Sequence, residues 1–128
     1  MSAHLFIAED ETSIITLLKY NLEKEGHKVS YSENGEDALK QIKDKYPDLI
    51  LMDWMLPDLS GVDICRNLKK DKKFKDIPII MVSAKGEEED KLKAFDTGAD
   101  DYVTKPFSQK ELNARIKSLL RRSKPQSS

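Results

Sequence analysis

Cys65 is the single cysteine in 128 residues, so the chain can form no intrachain disulfide and offers no thiol pattern for a metal. Stability must come from burial, as it does in proteins of reducing compartments. No stretch approaches the roughly 18 consecutive apolar residues of a membrane span, and the start Met1-Ser2-Ala3-His4 lacks the basic region of a signal peptide. A cytoplasmic protein without a membrane partner is expected. Neither sign of charge dominates, because 22 Lys and Arg stand against 23 Asp and Glu for a net charge of −1. That excludes a general attraction to nucleic acid or anionic surfaces, and any partner must be recognised locally. Glycine and proline are also scarce, with five of each, and act as punctuation between apolar segments. No internal repeat is present.

What is there is an alternation of short apolar runs and helical patterns. Four runs read as buried strands: His4-Leu5-Phe6-Ile7-Ala8, Leu49-Ile50-Leu51-Met52, Ile79-Ile80-Met81-Val82 and Tyr102-Val103-Thr104, with Val29-Ser30-Tyr31 as a fifth. Between them, Ile14, Ile15, Leu17, Leu18 and Leu22 predict a first helix from about Glu11 to Glu25, with Thr12 or Ser13 as its cap and Gly26 as its stop. Ala38, Leu39 and Ile42 predict a second helix. Val62, Ile64, Cys65 and Leu68 predict a third, followed by a charged loop from Lys69 to Asp76. A fourth, from Lys85 to Thr97, has only Leu92, Ala94 and Phe95 to anchor it beneath the run Glu87-Glu88-Glu89-Asp90, so its attachment should be weak. Leu112, Ile116, Leu119 and Leu120 predict a fifth from Gln109 to Arg122.

Such βα alternation implies an α/β fold with a five-stranded parallel sheet covered on both faces. Right-handed crossovers reduce the topology to a doubly wound sandwich, with the flavodoxin-like order 2-1-3-4-5 expected at this size. Residues 1–122 are expected to form one domain and 123–128 a polar linker-like tail.

Ligands of such sheets gather at the carboxyl ends of the strands. There the sequence puts Glu9-Asp10, Asp53, Ser83 and Lys105. The acid pair facing Asp53 forms a negative cluster suited to Mg²⁺, which binds through one or two carboxylates and keeps sites for phosphate oxygens. Alone, Glu9-Asp10 would read as acids favoured at a helix N-terminus. A carboxylate at the position of Asp53 can act as a nucleophile towards phosphorus, and Ser83 and Lys105 can supply a hydroxyl and an ammonium to the transferred oxygens. Lys105-Pro106 is a candidate cis bond.

In these residues the chain resembles the receiver domains of bacterial two-component response regulators, over about residues 4 to 122. The motifs are Glu9-Asp10, the run Asp53-Trp54-Met55-Leu56-Pro57-Asp58-Leu59-Ser60-Gly61, Ser83-Ala84 and Lys105-Pro106-Phe107. The resemblance implies that Asp53 is the phosphoacceptor, loaded by a sensor histidine kinase. It also implies that Glu9, Asp10, Asp53 and the Met55 backbone carbonyl hold Mg²⁺, that Ser83 and Lys105 bind phosphoryl oxygens, and that Ser83 and Tyr102 form the switch. Such a domain catalyses only its own phosphorylation and dephosphorylation. Met55 and Lys85 would tune the lifetime of the acyl phosphate, and Trp54 is expected to be exposed beside the pocket.

Trp54-Met55-Leu56-Pro57 and the stretch from Gly98 to Phe107, followed by Glu111-Leu112 and Arg115, resemble the OmpR/PhoB type of transcription regulator. That likeness implies a homodimer, on phosphorylation, through the fourth helix, fifth strand and fifth helix. Lys91, Asp96, Asp100 and Asp101 would face Glu111, Arg115, Lys117 and Arg122, around Leu92, Phe95 and Ala114. A two-fold surface lets such charges pair reciprocally. Members of this type continue into a winged-helix DNA-binding domain, which this chain lacks, and Arg121, Arg122 and Lys124 are too few for a DNA surface. A fragment is the preferred reading, with a stand-alone receiver as its alternative. A phosphoaspartyl hydrolase would want a second acid where Met55 stands, and in a flavodoxin-like carrier Glu9-Asp10-Glu11 would repel the cofactor phosphate. His4 and His27 are not expected to carry phosphoryl groups.

Overall fold

The computed structural model describes residues 2–123. The strands are β1 (His4–Ala8), β2 (Lys28–Ser32), β3 (Leu49–Asp53), β4 (Ile79–Ser83) and β5 (Asp101–Thr104). Between and after them run α1 (Thr12–Lys24), α2 (Gly35–Lys45), α3 (Gly61–Lys70), α4 (Glu88–Asp96) and α5 (Gln109–Ser123). All strand pairs are parallel and the order is β2-β1-β3-β4-β5, the one expected from the sequence. The fifth helix takes in Ser123, one residue past the expected domain end, and residues 124–128 of the tail lie outside the described residues.

Period-two alternation along the strands divides the core. Leu5, Ile7, Leu49, Leu51, Ile80, Val82 and Val103 pack under α1 and α5. Phe6, Ala8, Ile50, Met52, Ile79, Met81 and Tyr102 pack under α2, α3 and α4. Strands β3 and β4 are buried along their whole length, which explains why their sequences are unbroken apolar runs ending in one polar residue each. Among the described residues, no helix is long and apolar enough to cross a membrane.

Local chemistry sets the helix ends, with one departure from expectation. Asn34 and Ser60 cap α2 and α3 through their side chains, bonding the N–H groups of Asp37 and Asp63. Neither Thr12 nor Ser13 caps α1: its N-cap is Glu11, which makes no side-chain cap bond. The Glu11 N–H instead donates to Glu9 Oε2 at 3.0 Å, so a buried acid outside the helix does the work. The charged stretch after α3 is pinned by Phe74, which is buried there and carries the ammonium groups of Lys43 and Lys73 over its ring. Cys65 is a buried packing residue, with burial pushing its thiol pKa up.

Helix α4 is attached even more weakly than its composition suggests. Of the three expected anchors only Ala94 is buried, while Leu92 and Phe95 are 62% and 45% exposed. Its C-terminal end is the held end. The Lys69 ammonium bonds Asp100 Oδ2 at 2.9 Å, and the Cys65 thiol lies 3.7 Å from the Thr97 carbonyl.

The edge below the sheet holds two half-buried histidines. Ala3 N–H donates to His27 Nδ1 at 3.2 Å, and His4 Nε2 shares a 2.8 Å bond with Ser30 Oγ. Burial lowers the pKa of both rings. A lowered folded-state pKa means that the native form binds fewer protons than the unfolded chain, so this contribution is intact above about pH 6.5 and is lost as the pH falls below it. His27→Asn, whose amide oxygen accepts the Ala3 N–H at any pH, should therefore gain in melting temperature relative to the parent between about pH 7.5 and about pH 5.5. A constant difference between the two melts would refute the role given to His27.

Candidate functional site

The ends of β1 and β3 deliver Glu9, Asp10 and Asp53 to one point, where one carboxylate oxygen from each lies within 4.8 Å of the others. Strand pairing explains the convergence. Ala8 is in register with Met52, so the residues that follow them emerge side by side. Glu9 and Asp53 are buried and Asp10 is exposed, giving the cluster a closed floor and an open mouth.

One cation answers these charges. Lys105 Nζ lies 2.9 Å from Glu9 Oε1, 3.2 Å from Asp53 Oδ2 and 3.5 Å from Glu11 Oε1. The lysine directly follows β5 and precedes Pro106, and the Lys105-Pro106 bond is cis. Although burial opposes its charge, Glu9 and Asp53 hold the lysine above its ordinary pKa. Burial pushes Glu9 up to about 7 despite that lysine, with the neighbouring Asp53 adding to the rise. The native state therefore keeps a proton that the unfolded chain gives up near 4.5, and this group costs stability as the pH rises from there to about 7. An ammonium alone does not settle this much buried acid. The donor set, three carboxylates with one side open to solvent, fits a hard divalent cation that retains several waters.

The loop after β3 is built around Asp53. The Met55 N–H donates to Asp53 Oδ1 at 3.0 Å, and the Gly61 N–H closes the loop onto the Trp54 carbonyl at 2.9 Å. The side chain of Met55 is exposed. Trp54, expected to be exposed, is only 8% so, and this corrects the sequence reading. Its ring lies in the core under α4, with Lys85 Nζ and Lys93 Nζ at 5.3 and 5.9 Å from the ring centroid.

Ser83, fully buried at the end of β4, accepts a hydrogen bond from Lys85 N–H at 3.1 Å. Tyr102 is also buried, and its hydroxyl donates to the carbonyl of the same Lys85 at 2.5 Å. The two switch candidates thus grip one residue of the loop that leads to α4. Burial raises the Tyr102 pKa, keeping the phenol protonated and able to donate.

The expected interface residues are placed less uniformly. Lys91, Leu92, Phe95, Asp96, Glu111, Ala114, Lys117 and Arg122 are exposed. Arg115 is already engaged within the chain, bonding both oxygens of Asp101 at 2.8 and 2.9 Å and Glu111 Oε2 at 3.0 Å. Asp100 is exposed but already engaged with α3 and β4, bonding Lys69 and the Ile79 N–H. Two residues near the site were quoted from sequence without a role in this pocket. Glu11 reaches Lys105, and Asp58 bonds the start of α2. Asp58 follows Pro57, and an acid after proline is a turn signal that could have found it.

The sheet order and this site at the strand ends define a signal-receiver module. The family model of the response regulator receiver domain matches residues 5–117, and the chain belongs to that family. It is 49% identical over 123 residues to the alkaline phosphatase synthesis transcriptional regulatory protein PhoP of Bacillus subtilis (strain 168), covering 96% of this chain and 50% of that protein. It is 45% identical over 125 residues to the phosphate regulon transcriptional regulatory protein PhoB of Escherichia coli (strain K12), covering 98% of this chain and 55% of that protein. These relatives are of the OmpR/PhoB type expected from the sequence, and the chain spans about half their length. The receiver domain of the Francisella response regulator 1452 superposes with a TM-score of 0.89 at 34% identity, covering 95% of this chain and 99% of that one. The BeF3-activated N-terminal receiver domain of Klebsiella pneumoniae RstA gives 0.86 at 29% identity, covering 92% and 98%.

Proposed function

We propose that Asp53 accepts a phosphoryl group from the phosphohistidine of a sensor kinase. One Asp53 oxygen attacks phosphorus, the N–P bond breaks, and the histidine leaves with the electron pair while an acyl phosphate forms. The observation that carries this reading is the convergence of Glu9, Asp10 and Asp53 within 4.8 Å, with the Lys105 ammonium 3.2 Å from the attacking carboxylate. Glu9, Asp10, Asp53 and the Met55 carbonyl would hold Mg²⁺, which when bound supplies positive charge to the transferring phosphoryl oxygens. Lys105 adds a fixed ammonium. Ser83 supplies its hydroxyl to the same oxygens and, in turning to them, gives up the Lys85 N–H. Tyr102 holds the other side of Lys85, so the rearrangement passes into the loop before α4. A local charge change biases a mobile element.

The output of that change is a homodimer through α4, β5 and α5. The exposed Leu92 and Phe95 support this surface, because two large apolar side chains on a thinly anchored helix favour cover. Asp101, Glu111 and Arg115 form a charged group beside them that orients more than it binds. DNA is reached only through an output domain outside this chain, a reading supported by transcriptional regulators about twice its length.

Mass spectrometry after incubation with acetyl phosphate tests the first step. One phosphoryl group on Asp53, formed with Mg²⁺ and not with EDTA, is expected, and an unmodified Asp53 in folded protein refutes the proposal. Size exclusion with light scattering tests the second. Beryllofluoride and Mg²⁺ should produce a dimer, which Glu111→Lys weakens without changing Asp53 modification, since Glu111 lies outside the acidic cluster. Loss of modification in that variant would mean that pocket and interface are not separable.

A further inference from the structure

We infer that Asp58 is a positioning residue for the metal site, latching the loop that carries Asp53 and Met55 to the start of α2. This rests on the phosphorylation reading above and adds a residue to it. Asp58 has a backbone φ of 65°, the left-handed region that asparagine and aspartate tolerate better than other side-chain-bearing residues. It is the middle of a tight turn in which the Leu59 N–H donates to the Pro57 carbonyl at 2.8 Å.

This conformation aims the carboxylate at another element. Asp58 Oδ1 accepts the Gly35 N–H at 2.8 Å, and Oδ2 accepts the Glu36 N–H at 3.3 Å. Those are the first two amides of α2, which no bond within the helix can satisfy, and a carboxylate there also meets the positive end of the helix dipole. The third, Asp37 N–H, is taken by Asn34 Oδ1. The helix start thus leans on a loop more than twenty positions away, through the Asp58 side chain and through the backbone, since the Gly35 N–H also reaches the Pro57 carbonyl at 3.2 Å. The contact is close, since a Cβ on Gly35 would sit 2.0 Å from the Leu59 carbonyl oxygen.

The consequence reaches the acidic cluster from two sides. The start of α2 is tied to the end of β2, where Ser32 Oγ donates to Asp37 Oδ2 at 2.6 Å and the Ser32 carbonyl accepts the Glu9 N–H at 3.1 Å. The loop end is tied to Asp53 through Met55 N–H. Asp58 therefore fixes the β3 side of the cluster relative to the β1 side. Without it, the loop keeps the bond from the Gly35 N–H to the Pro57 carbonyl but loses its two side-chain bonds to α2, so the Met55 carbonyl and Asp53 are held less firmly relative to Glu9 and Asp10.

Asp58→Gly tests this because glycine keeps the left-handed backbone and removes the carboxylate, with Asp58→Asn separating that loss from a loosened backbone. Calorimetry with Mg²⁺ should show binding weakened about fivefold, the worth of one ordinary hydrogen bond. Acetyl phosphate kinetics should need correspondingly more Mg²⁺ for half-maximal rate, with the rate at saturation unchanged. In metal-free protein, amide exchange should speed up at Gly35 and Glu36. Asp58→Asn, which keeps one accepting oxygen, should fall between the two and guards against a glycine variant that fails to fold. Unchanged Mg²⁺ affinity in a folded Asp58→Gly protein overturns the latch while leaving the phosphorylation reading intact. A parent protein that neither binds Mg²⁺ nor accepts phosphoryl overturns both.

Discussion

Asp53→Asn protein will take no phosphoryl group from acetyl phosphate at any Mg²⁺ concentration, while melting within about 1 kcal/mol of the parent. The two halves have separate causes. An amide carries no anionic oxygen to attack phosphorus, so loss of the adduct should be complete. The fold has little reason to notice, because the asparagine oxygen can still accept the Met55 N–H that Asp53 Oδ1 accepts at 3.0 Å. What changes is charge. Asp53 is one of the influences that hold the Glu9 pKa up, so removing it lets Glu9 ionise more readily beside Lys105. Loss of one partner of the lysine offsets that gain. Intact-mass measurement and thermal melts on the same sample check both halves, and an adduct of parental yield on the variant would show that Asp53 is not the nucleophile.

Much of this site could be read from residue order because a parallel sheet converts sequence position into spatial position. A polar residue closing a buried strand must emerge at one edge, and Asp53 and Ser83 close strands that are otherwise wholly apolar. Glu9 and Lys105 come directly after strands, and so arrive at the same edge. The topology followed from the alternation together with the right-handed crossover rule and the chain length.

What stayed hidden depends on partners distant in sequence. Trp54 follows a polar residue at the pocket edge and so suggested exposure, yet its ring is drawn under α4, where Lys85 and Lys93 lie over it. Nothing within a few residues of Trp54 encodes that. The cap of α1 was misassigned because Thr12 and Ser13 are good capping types, while the bond actually formed comes from Glu9, whose burial is a tertiary property. Arg115 shows both cases. Its pair with Glu111 has the i, i+4 spacing legible on any helix, whereas its bond to Asp101 arises only because α5 packs back beside β5.

Gly61→Ala should be the most damaging small substitution near the site, lowering the melting temperature by roughly 10 °C or more. A Cβ at this position would lie 2.0 Å from the carbonyl oxygen of Asp53 and 2.9 Å from both its carbonyl carbon and Met52 Cγ. Backbone atoms of a central strand cannot move aside as a side-chain tip can. Relief requires α3 to shift away from β3, which breaks the 2.9 Å bond from Gly61 N–H to the Trp54 carbonyl and disturbs the packing of Val62, Ile64 and Leu68. Overpacking of this kind costs about 3 kcal/mol or more when the obstacle is rigid. Asp53 moves with the strand end, so the protein that remains folded should also phosphorylate more slowly. Gly86→Ala is the control, since its Cβ would meet only the Thr104 methyl, at 3.2 Å, in the loop before α4. Thermal melts of the two variants, with adduct formation measured per folded molecule, separate the causes. Equal melting temperatures would mean that the close approach of α3 to Asp53 is not what holds that carboxylate in place.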